Sequence, residues 1–311
     1  GNLQNLRIIK EQDKILSHAL VKTQIVKTRR GLFKVGCIGS VVTHDSSRNQ
    51  GLSSQVIQEC LKNVTAQGCE IAVLWTNLYD FYRKLGFEQA GTEVSLIVEK
   101  PLAINTTKFR IVEGNKVDAA ALFRVYSQHS VHSVRTLEDF DKYLKIPNSR
   151  VYTAWAADGK LEGYAVEGKG ADLQGYIHEW GGSTEAVVAL ANYTFSKRQQ
   201  PTTLITPAHA QGLIRTLESL GCRRVDGFLG MIKMTHPQSL FNKIIRNARQ
   251  EWGIENLTFE FRDGHYYYGT PDNLYKTDQE ADIVKLLFGP ATPSQMVDHG
   301  AELNQILDKI L

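Results

Sequence analysis

The chain has 311 residues, of which 42% are hydrophobic and 22% charged, with a formal net charge of +3. That composition excludes a disordered or fibrous protein, leaves room for two to three domains, and supplies no strongly basic surface for nucleic acid. No apolar run long enough to span a membrane is present and no charged-then-apolar leader opens the sequence, while Cys37, Cys60, Cys69 and Cys222 lack metal or disulfide spacing, which points to a reducing cytoplasm.

From Leu6 to Thr43 the residues are strand-like, and the basic knot "KTRRG" at 27–31 reads as a solvated hairpin end. "LSSQVIQECLKNVTAQG" then spaces Leu52, Val56, Ile57, Cys60, Leu61 and Val64 as one apolar helix face, stopped at Gly68. "CEIAVLWT" has the continuous apolar character of a strand covered on both faces. "YDFYRKLGF" predicts a short helix ended by Gly86, "TEVSLIVEK" a further strand, and Pro101 a boundary, giving a first domain over 1–100.

The same grammar returns over 101–236. "KVDAAALFRVYSQHS" predicts a helix, and a three-strand meander follows from Arg150 to Trp180, with Asp158-Gly159 as a hairpin turn. "STEAVVALANYTFSKR" predicts a helix capped by Ser183 or Thr184, and strand, helix and strand signals run on to Met234. The order matches the first domain, so we expect a duplication at the level of fold. Past His236-Pro237 come a helix, two strands about Asp263-Gly264 and two helical segments, a small α+β tail over 237–311.

"SSRNQGLSSQVI" places a glycine at the mouth of the first predicted helix, three residues after Arg48. The first N–H groups of a helix have no internal partners and carry partial positive charge, so an anion is stabilised there. A side chain at Gly51 would hold a diphosphate off the backbone, Ser53 and Ser54 keep the turn slim and add hydroxyl donors, and Arg48 supplies charge. An ordinary helix start behind a polar loop accounts for the same residues. "LYDFYRKLGF" sets Tyr82 four residues before Gly86, beside Phe81; on composition alone Tyr82 is a core tyrosine.

The two stretches together resemble the GNAT superfamily of N-acetyltransferases, which use acetyl-CoA. The family's Arg/Gln-x-x-Gly-x-Gly/Ala loop is matched by Arg48, Gly51 and Ser53, and its Tyr-x-x-x-Gly-Phe signature by Tyr82, Gly86 and Phe87. The resemblance implies a CoA pyrophosphate on the amides of Asn49, Gln50, Gly51, Leu52, Ser53 and Ser54, and pantetheine beside Val41, Val42 and Thr43. It further implies Phe81 against the cofactor and Tyr82 as general acid for the leaving thiolate. "GSVVTHDSSRNQG" is most similar to the tandem, Eis-like branch, whose two GNAT units and sterol-carrier-like tail repeat the three-part order above. The fold class implied is α/β (α+β), with tandem GNAT-like mixed-sheet units and a small C-terminal domain.

The match has departures. Asp45 stands where the family has proline, and Ser53 where it has Gly or Ala. The first domain begins at what corresponds to its second strand, so the opening strand and two helices that help cover the acceptor are expected to be missing. The branch also brings its C-terminal carboxylate toward the active site as a base, but "LDKIL" does not match the usual ending. The second unit has "HEWGGSTEAV" where the loop belongs and is expected to be a non-binding copy. His178 and Glu179 are neighbours that a strand points to opposite faces, and are expected to be structural. "GHYYYG" at 264–269 is expected to be a hairpin strand with alternately buried tyrosines.

The activity implied is acetyl transfer from acetyl-CoA to a primary amine in a ternary complex, in the cytoplasm, with no metal, nucleic acid or membrane partner and a homo-oligomer left open. A backbone N–H near Val41–Thr43 is the candidate oxyanion donor. Glu70, Glu88 and Glu93 are equal candidates for the base and equally surface charges. The alternative is a catalytically silent acyl-CoA sensor or scaffold; a nucleotide site lacks the Gly-Lys-Ser/Thr and GxGxxG motifs.

Overall fold

A computed structural model describes residues 3–29 and 31–289. The chain opens with an antiparallel meander of β1 (Leu6–Glu11), β2 (Lys14–Thr28) and β3 (Gly31–Thr43). Helix α1 (Leu52–Ala66) crosses over to β4 (Ile71–Leu74), which pairs with β3 in parallel. Short α2 (Tyr79–Arg83) leads to β5 (Glu88–Ala90). The apolar spacing of α1 does what the sequence implies: Val56, Ile57, Cys60 and Val64 are buried against Ala19, Val21 and Ile38. Each such side chain contributes roughly 1.5–3 kcal/mol of transfer free energy. Gly36 permits the contact, since a Cβ on it would lie 2.6 Å from the methyls of Val64. All four residues of β4 are buried, as a strand covered on both faces must be.

At Gly91 the chain leaves this sheet and builds another. Strands β6 (Glu93–Val98) and β7 (Arg110–Glu113) are followed by α3 (Ala119–Tyr126), the two-residue β8 (His132–Ser133) and α4 (Leu137–Tyr143). Then come β9 (Arg150–Trp155), β10 (Leu161–Lys169), β11 (Asp172–Gly182), α5 (Thr184–Arg198), β12 (Thr202–Thr206), α6 (Gln211–Ser219) and β13 (Arg223–Gly227). The strand order is β13-β6-β12-β11-β10-β9-β7. The meander β9-β10-β11, crossover helix α5 and parallel strand β12 repeat the plan of β1-β2-β3, α1 and β4.

The remaining elements are β14 (Gly230–Met234), α7 (Pro237–Trp252), the antiparallel β15 (Thr258–Arg262), β16 (His265–Thr270) and β17 (Asn273–Thr277), and α8 (Glu280–Phe288). Strand β14 returns to the first sheet and runs antiparallel between β4 and β5, as β6 does between β12 and β13 in the second. The described residues up to Gly91 and those from Phe228 to Gly289 therefore pack as one unit, and Thr92–Gly227 as the other.

The boundaries expected at 100 and 236 are displaced by this path. Glu93–Val98, read into the first domain, belongs to the second sheet, and Gly230–Met234, read into the second, belongs to the first. The tail does not form a core alone. Phe241, Ile244, Phe259, Tyr266, Tyr268, Ile283 and Val284 share one cluster with Val35, Val73, Ala90 and Ile232. Tyr266 and Tyr268 are buried with the less buried Tyr267 between them, the alternation expected of "GHYYYG". The second predicted tail helix and the chain end lie outside the described residues. Among the described residues no helix is long and apolar enough to cross a membrane.

A test follows from the connectivity. Thr92–Gly227 holds every strand of its own sheet, whereas a fragment 1–100 lacks β14. Expressed alone, 92–227 is expected to melt cooperatively and 1–100 to be insoluble or unfolded by circular dichroism. A soluble, cooperatively melting 1–100 would contradict the strand path.

Candidate functional site

Strand β3 leads into a short turn, Asp45–Ser47, and then the mouth of α1. Gly51 is the N-cap residue, with φ +76, and no side chain caps the helix. A Cβ on Gly51 would meet no atom within 4 Å, so the space over the first turn is open. Asn49 also has positive φ, +61, which asparagine tolerates. A hydroxyl relay fixes the two sides of this loop. Ser17 Oγ donates to the Val42 carbonyl at 3.1 Å, and the Oγ1 of Thr43 lies 3.0 Å from Ser17 Oγ and 2.7 Å from Ser53 Oγ. Arg48 pairs with Asp45 at 2.7 Å, both of them exposed. An exposed pair of this kind contributes about 0.2–1 kcal/mol, little enough for Arg48 to exchange Asp45 for a phosphate.

The strand before the loop opens a fork. Strand β3 pairs with β4 only through Val35, Gly36 and Cys37, opposite Ile71, Ala72 and Val73. From Ile38 to Thr43 it continues without β4 beside it, while its pairing with β2 goes on. Two residues, Ser40 and Val41, stand opposite the single Ala19, and Ser40 takes φ +52; this is a β-bulge, which bends the strand away. The outcome is a wedge between the ends of β3 and β4 whose wall is backbone N–H and C=O groups without a strand partner. Val41, Val42 and Thr43 lie on that wall.

Helix α2 follows β4, and Tyr82 is on it. Tyr82 is buried, edge-on to Phe81 at 4.9 Å and to Phe87 at 6.0 Å between ring centres. The amides of Leu85 and Phe87 both donate to its carbonyl, so the turn after the helix fixes its backbone. Its hydroxyl makes no hydrogen bond with the described residues. Burial raises the phenol above the ordinary tyrosine value, so it is protonated at neutral pH.

The corresponding parts of the second unit are closed. Strands β11 and β12 pair only at Tyr176–Thr203 and Ile177–Leu204, which also makes a fork. Trp180 fills it, its indole N–H donating to the Ile205 carbonyl at 3.0 Å. His129 holds Trp180 in place, donating from Nε2 to its carbonyl at 2.8 Å with the rings 4.9 Å apart. There is no loop before α5, and Ser183 Oγ accepts from the Ala186 amide. His178 and Glu179 are both committed to internal partners. His178 donates to the Gly168 carbonyl at 2.9 Å, and Glu179 takes a two-point bond from Arg135 at 2.7 and 2.8 Å and a third from Tyr164. Despite burial, that guanidinium holds the Glu179 carboxyl below the usual range.

Other acid–base candidates divide the same way. Glu70 is buried, accepting from the Lys34 amide at 2.6 Å and pairing with Lys243 at 2.5 Å, a structural knot. Glu88 is held by Arg83 at 3.3 Å and by Lys285 at 3.8 Å. Glu93 lies on β6 of the second sheet, and burial raises its carboxyl. Burial also lifts the thiols of Cys60 and Cys222 to about 11, so neither offers a thiolate nucleophile at neutral pH. Among the described residues no group of three His, Cys, Asp or Glu side chains could hold a metal ion. The bulge at Ser40 and the plug at Trp180 were not anticipated from sequence. Neither residue type announces its role, and Trp180 acts on a carbonyl 25 positions away.

Residues 2–90 match the family model of the acetyltransferase (GNAT) domain. No curated protein matches the chain. Among solved structures it resembles a GCN5-related N-acetyltransferase from Anabaena variabilis, with a TM-score of 0.67 and 16% identity over 99% of this chain and 87% of that one. It also resembles Eis1 from Mycobacterium abscessus, with a TM-score of 0.58 and 12% identity over 99% and 88%. A probable N-acyltransferase from Enterococcus faecalis gives a TM-score of 0.56 and 18% identity over 76% of this chain. The chain spans 64% of that protein's length. Residues 2–90 thus match a GNAT acetyltransferase domain, and the chain as a whole shares the fold of these structures.

Proposed function

We propose that the chain is a tandem, Eis-like N-acetyltransferase that binds one acetyl-CoA in the first unit and passes the acetyl group directly to a primary amine. The single observation that carries this is the contrast between the two crossovers: an open fork with an uncapped helix mouth at β3–α1, and a fork filled by Trp180 with a capped mouth at β11–α5. The amides of Asn49 to Ser54, with Arg48, receive the diphosphate, where helix dipole and free donors favour an anion. Val41, Val42 and Thr43, on the edge of β3 that β4 leaves uncovered, receive the amide-rich pantetheine, and one of their N–H groups faces the thioester oxygen. Phe81 packs against the cofactor.

In the reaction the neutral amine nitrogen attacks the thioester carbon, the carbonyl oxygen takes up negative charge, and the C–S bond then breaks. The amine gives its proton to water or a carboxylate, and Tyr82 gives its own to the departing thiolate. Atoms and charge then balance with no further reactant. The second unit is a copy without a binding loop, and a sterol-carrier-like tail and a cytoplasmic setting belong to the same proposal.

Calorimetric titration of the full chain with CoA is expected to give one site per chain, and acetyl-CoA with an amine panel to release free thiol. Two sites would contradict the role given to Trp180. One site with no thiol release from any amine would leave a silent acyl-CoA sensor instead.

A further inference from the structure

We infer that the chain carries a second small-molecule site, a cavity between β1 and α1 that takes a free apolar α-amino acid. The cavity measures about 260 Å³, just below the roughly 300 Å³ at which pockets for drug-sized ligands begin. That suits a molecule the size of one amino acid. Arg7 and Ile9, two positions apart on β1, face it from the strand. Gln55, Gln58 and Glu59, at helical spacing, face it from α1. Val56, fully buried, packs in one cluster with Ile9 and makes the floor apolar. No residue of the cavity belongs to the loop at 48–54 or to the fork between β3 and β4. Strand β1 is the outermost of its sheet, so the cavity is reached from an open edge.

The charges in the cavity call for a ligand with two charged ends. Arg7 uses only Nη1 internally, donating to the carbonyls of Gln4 at 2.6 Å and Leu6 at 3.0 Å. Its Nε and Nη2, a pair that grips a carboxylate at two points, have no partner among the described residues. Glu59 is paired with Lys62 at 2.6 Å, both of them exposed, a weak link that a bound ammonium can replace. Arg7 and Glu59 line the same cavity yet form no ion pair with each other. A zwitterion spans them, with its carboxylate on Arg7, its ammonium on Glu59 and its side chain over Ile9 and Val56. A simple amine would leave Arg7 unmatched and a simple acid would leave Glu59 unmatched. Gln55 and Gln58 make no side-chain hydrogen bond with the described residues, and each offers both a donor and an acceptor to the charged ends.

Isothermal titration of the full chain, free and saturated with CoA, tests this with three probes. They are L-leucine, L-leucinamide, which lacks the carboxylate, and 4-methylpentanoate, which lacks the ammonium. L-leucine is expected to bind one site per chain whether or not CoA is present. The two analogues are expected to bind at least tenfold more weakly, the scale of one lost contact to a charged group. Arg7→Gln is expected to raise the Kd for L-leucine at least tenfold. Glu59→Gln, at an exposed position where Tm should not change, is expected to do the same. The inference is overturned if L-leucine does not bind, if either analogue matches it, or if Glu59→Gln leaves its Kd unchanged. Loss of L-leucine binding in the CoA-saturated chain overturns it as well, since the amino acid would then occupy the cofactor's site.

Discussion

Gly51→Asp is expected to abolish the stabilisation that CoA confers on the chain. A ligand at a hundredfold excess over its Kd stabilises the folded state by about 2.7 kcal/mol. For a protein of this size that corresponds to a rise of roughly 4 °C in Tm. The substitution has room, because a Cβ at position 51 meets nothing within 4 Å, but φ +76 is an unfavourable conformation for any other residue. That strain costs about 1 kcal/mol, partly offset because aspartate is a good helix N-cap. The variant should therefore fold. Its carboxylate accepts from the same first-turn amides that the diphosphate needs and repels the anion as well. Gly51→Ala separates the two effects, carrying the strain without the charge, and is expected to keep a reduced shift. A folded Gly51→Asp chain that still responds to CoA would show that the anion binds elsewhere.

Tyr82→Phe is expected to lower turnover by about a hundredfold or more, the usual contribution of a positioned acid, with CoA affinity nearly unchanged. The ring keeps its edge-on contacts with Phe81 and Phe87, and the hydroxyl that is lost has no hydrogen-bond partner among the described residues. The pH profile gives a second readout. Because burial raises the Tyr82 phenol, the acid remains protonated up to its folded-state pKa, and the alkaline loss of kcat should fall above pH 10. As the pH passes that point the phenolate can no longer donate, so activity declines; the phenylalanine variant should lack this limb. A purely structural Tyr82 gives the opposite pattern: a lower Tm or weaker CoA binding, with turnover per folded molecule intact.

What the sequence disclosed and what it concealed follow from the range of the interactions. Helix α1 was legible because its buried positions recur every three or four residues, and β4 because a strand covered on both faces is continuously apolar. Gly51 was legible because a helix mouth that opens at positive φ favours glycine. The partner of a strand is a different matter. Glu93–Val98 alternates between half-buried and buried positions as any strand on a covered sheet does, and nothing in that alternation says which sheet receives it. Short β7 and β17 were missed because four or five residues, at least half of them polar or charged, leave too little pattern. Helix α4 was missed although Thr136 and Asp139 form a reciprocal cap, a signal that sequence does carry. The uncapped mouth and open fork stand out as a candidate site only beside their closed counterparts in the second unit.

The return of the chain to its first sheet at β14 also governs how the protein is made. A ribosome elongates at about 5–20 residues per second, so on the order of ten seconds pass between the emergence of β5 and that of the strand that must separate it from β4. Throughout that interval the apolar Ile71–Leu74 has an open edge, the kind of surface that pairs with other nascent chains or is held by a chaperone. Thr92–Gly227 meanwhile has all its own strands and can finish first. A substitution that slows the folding of this later-made segment would therefore reduce yield through aggregation of the earlier one, with the thermodynamic stability of the finished protein hardly altered.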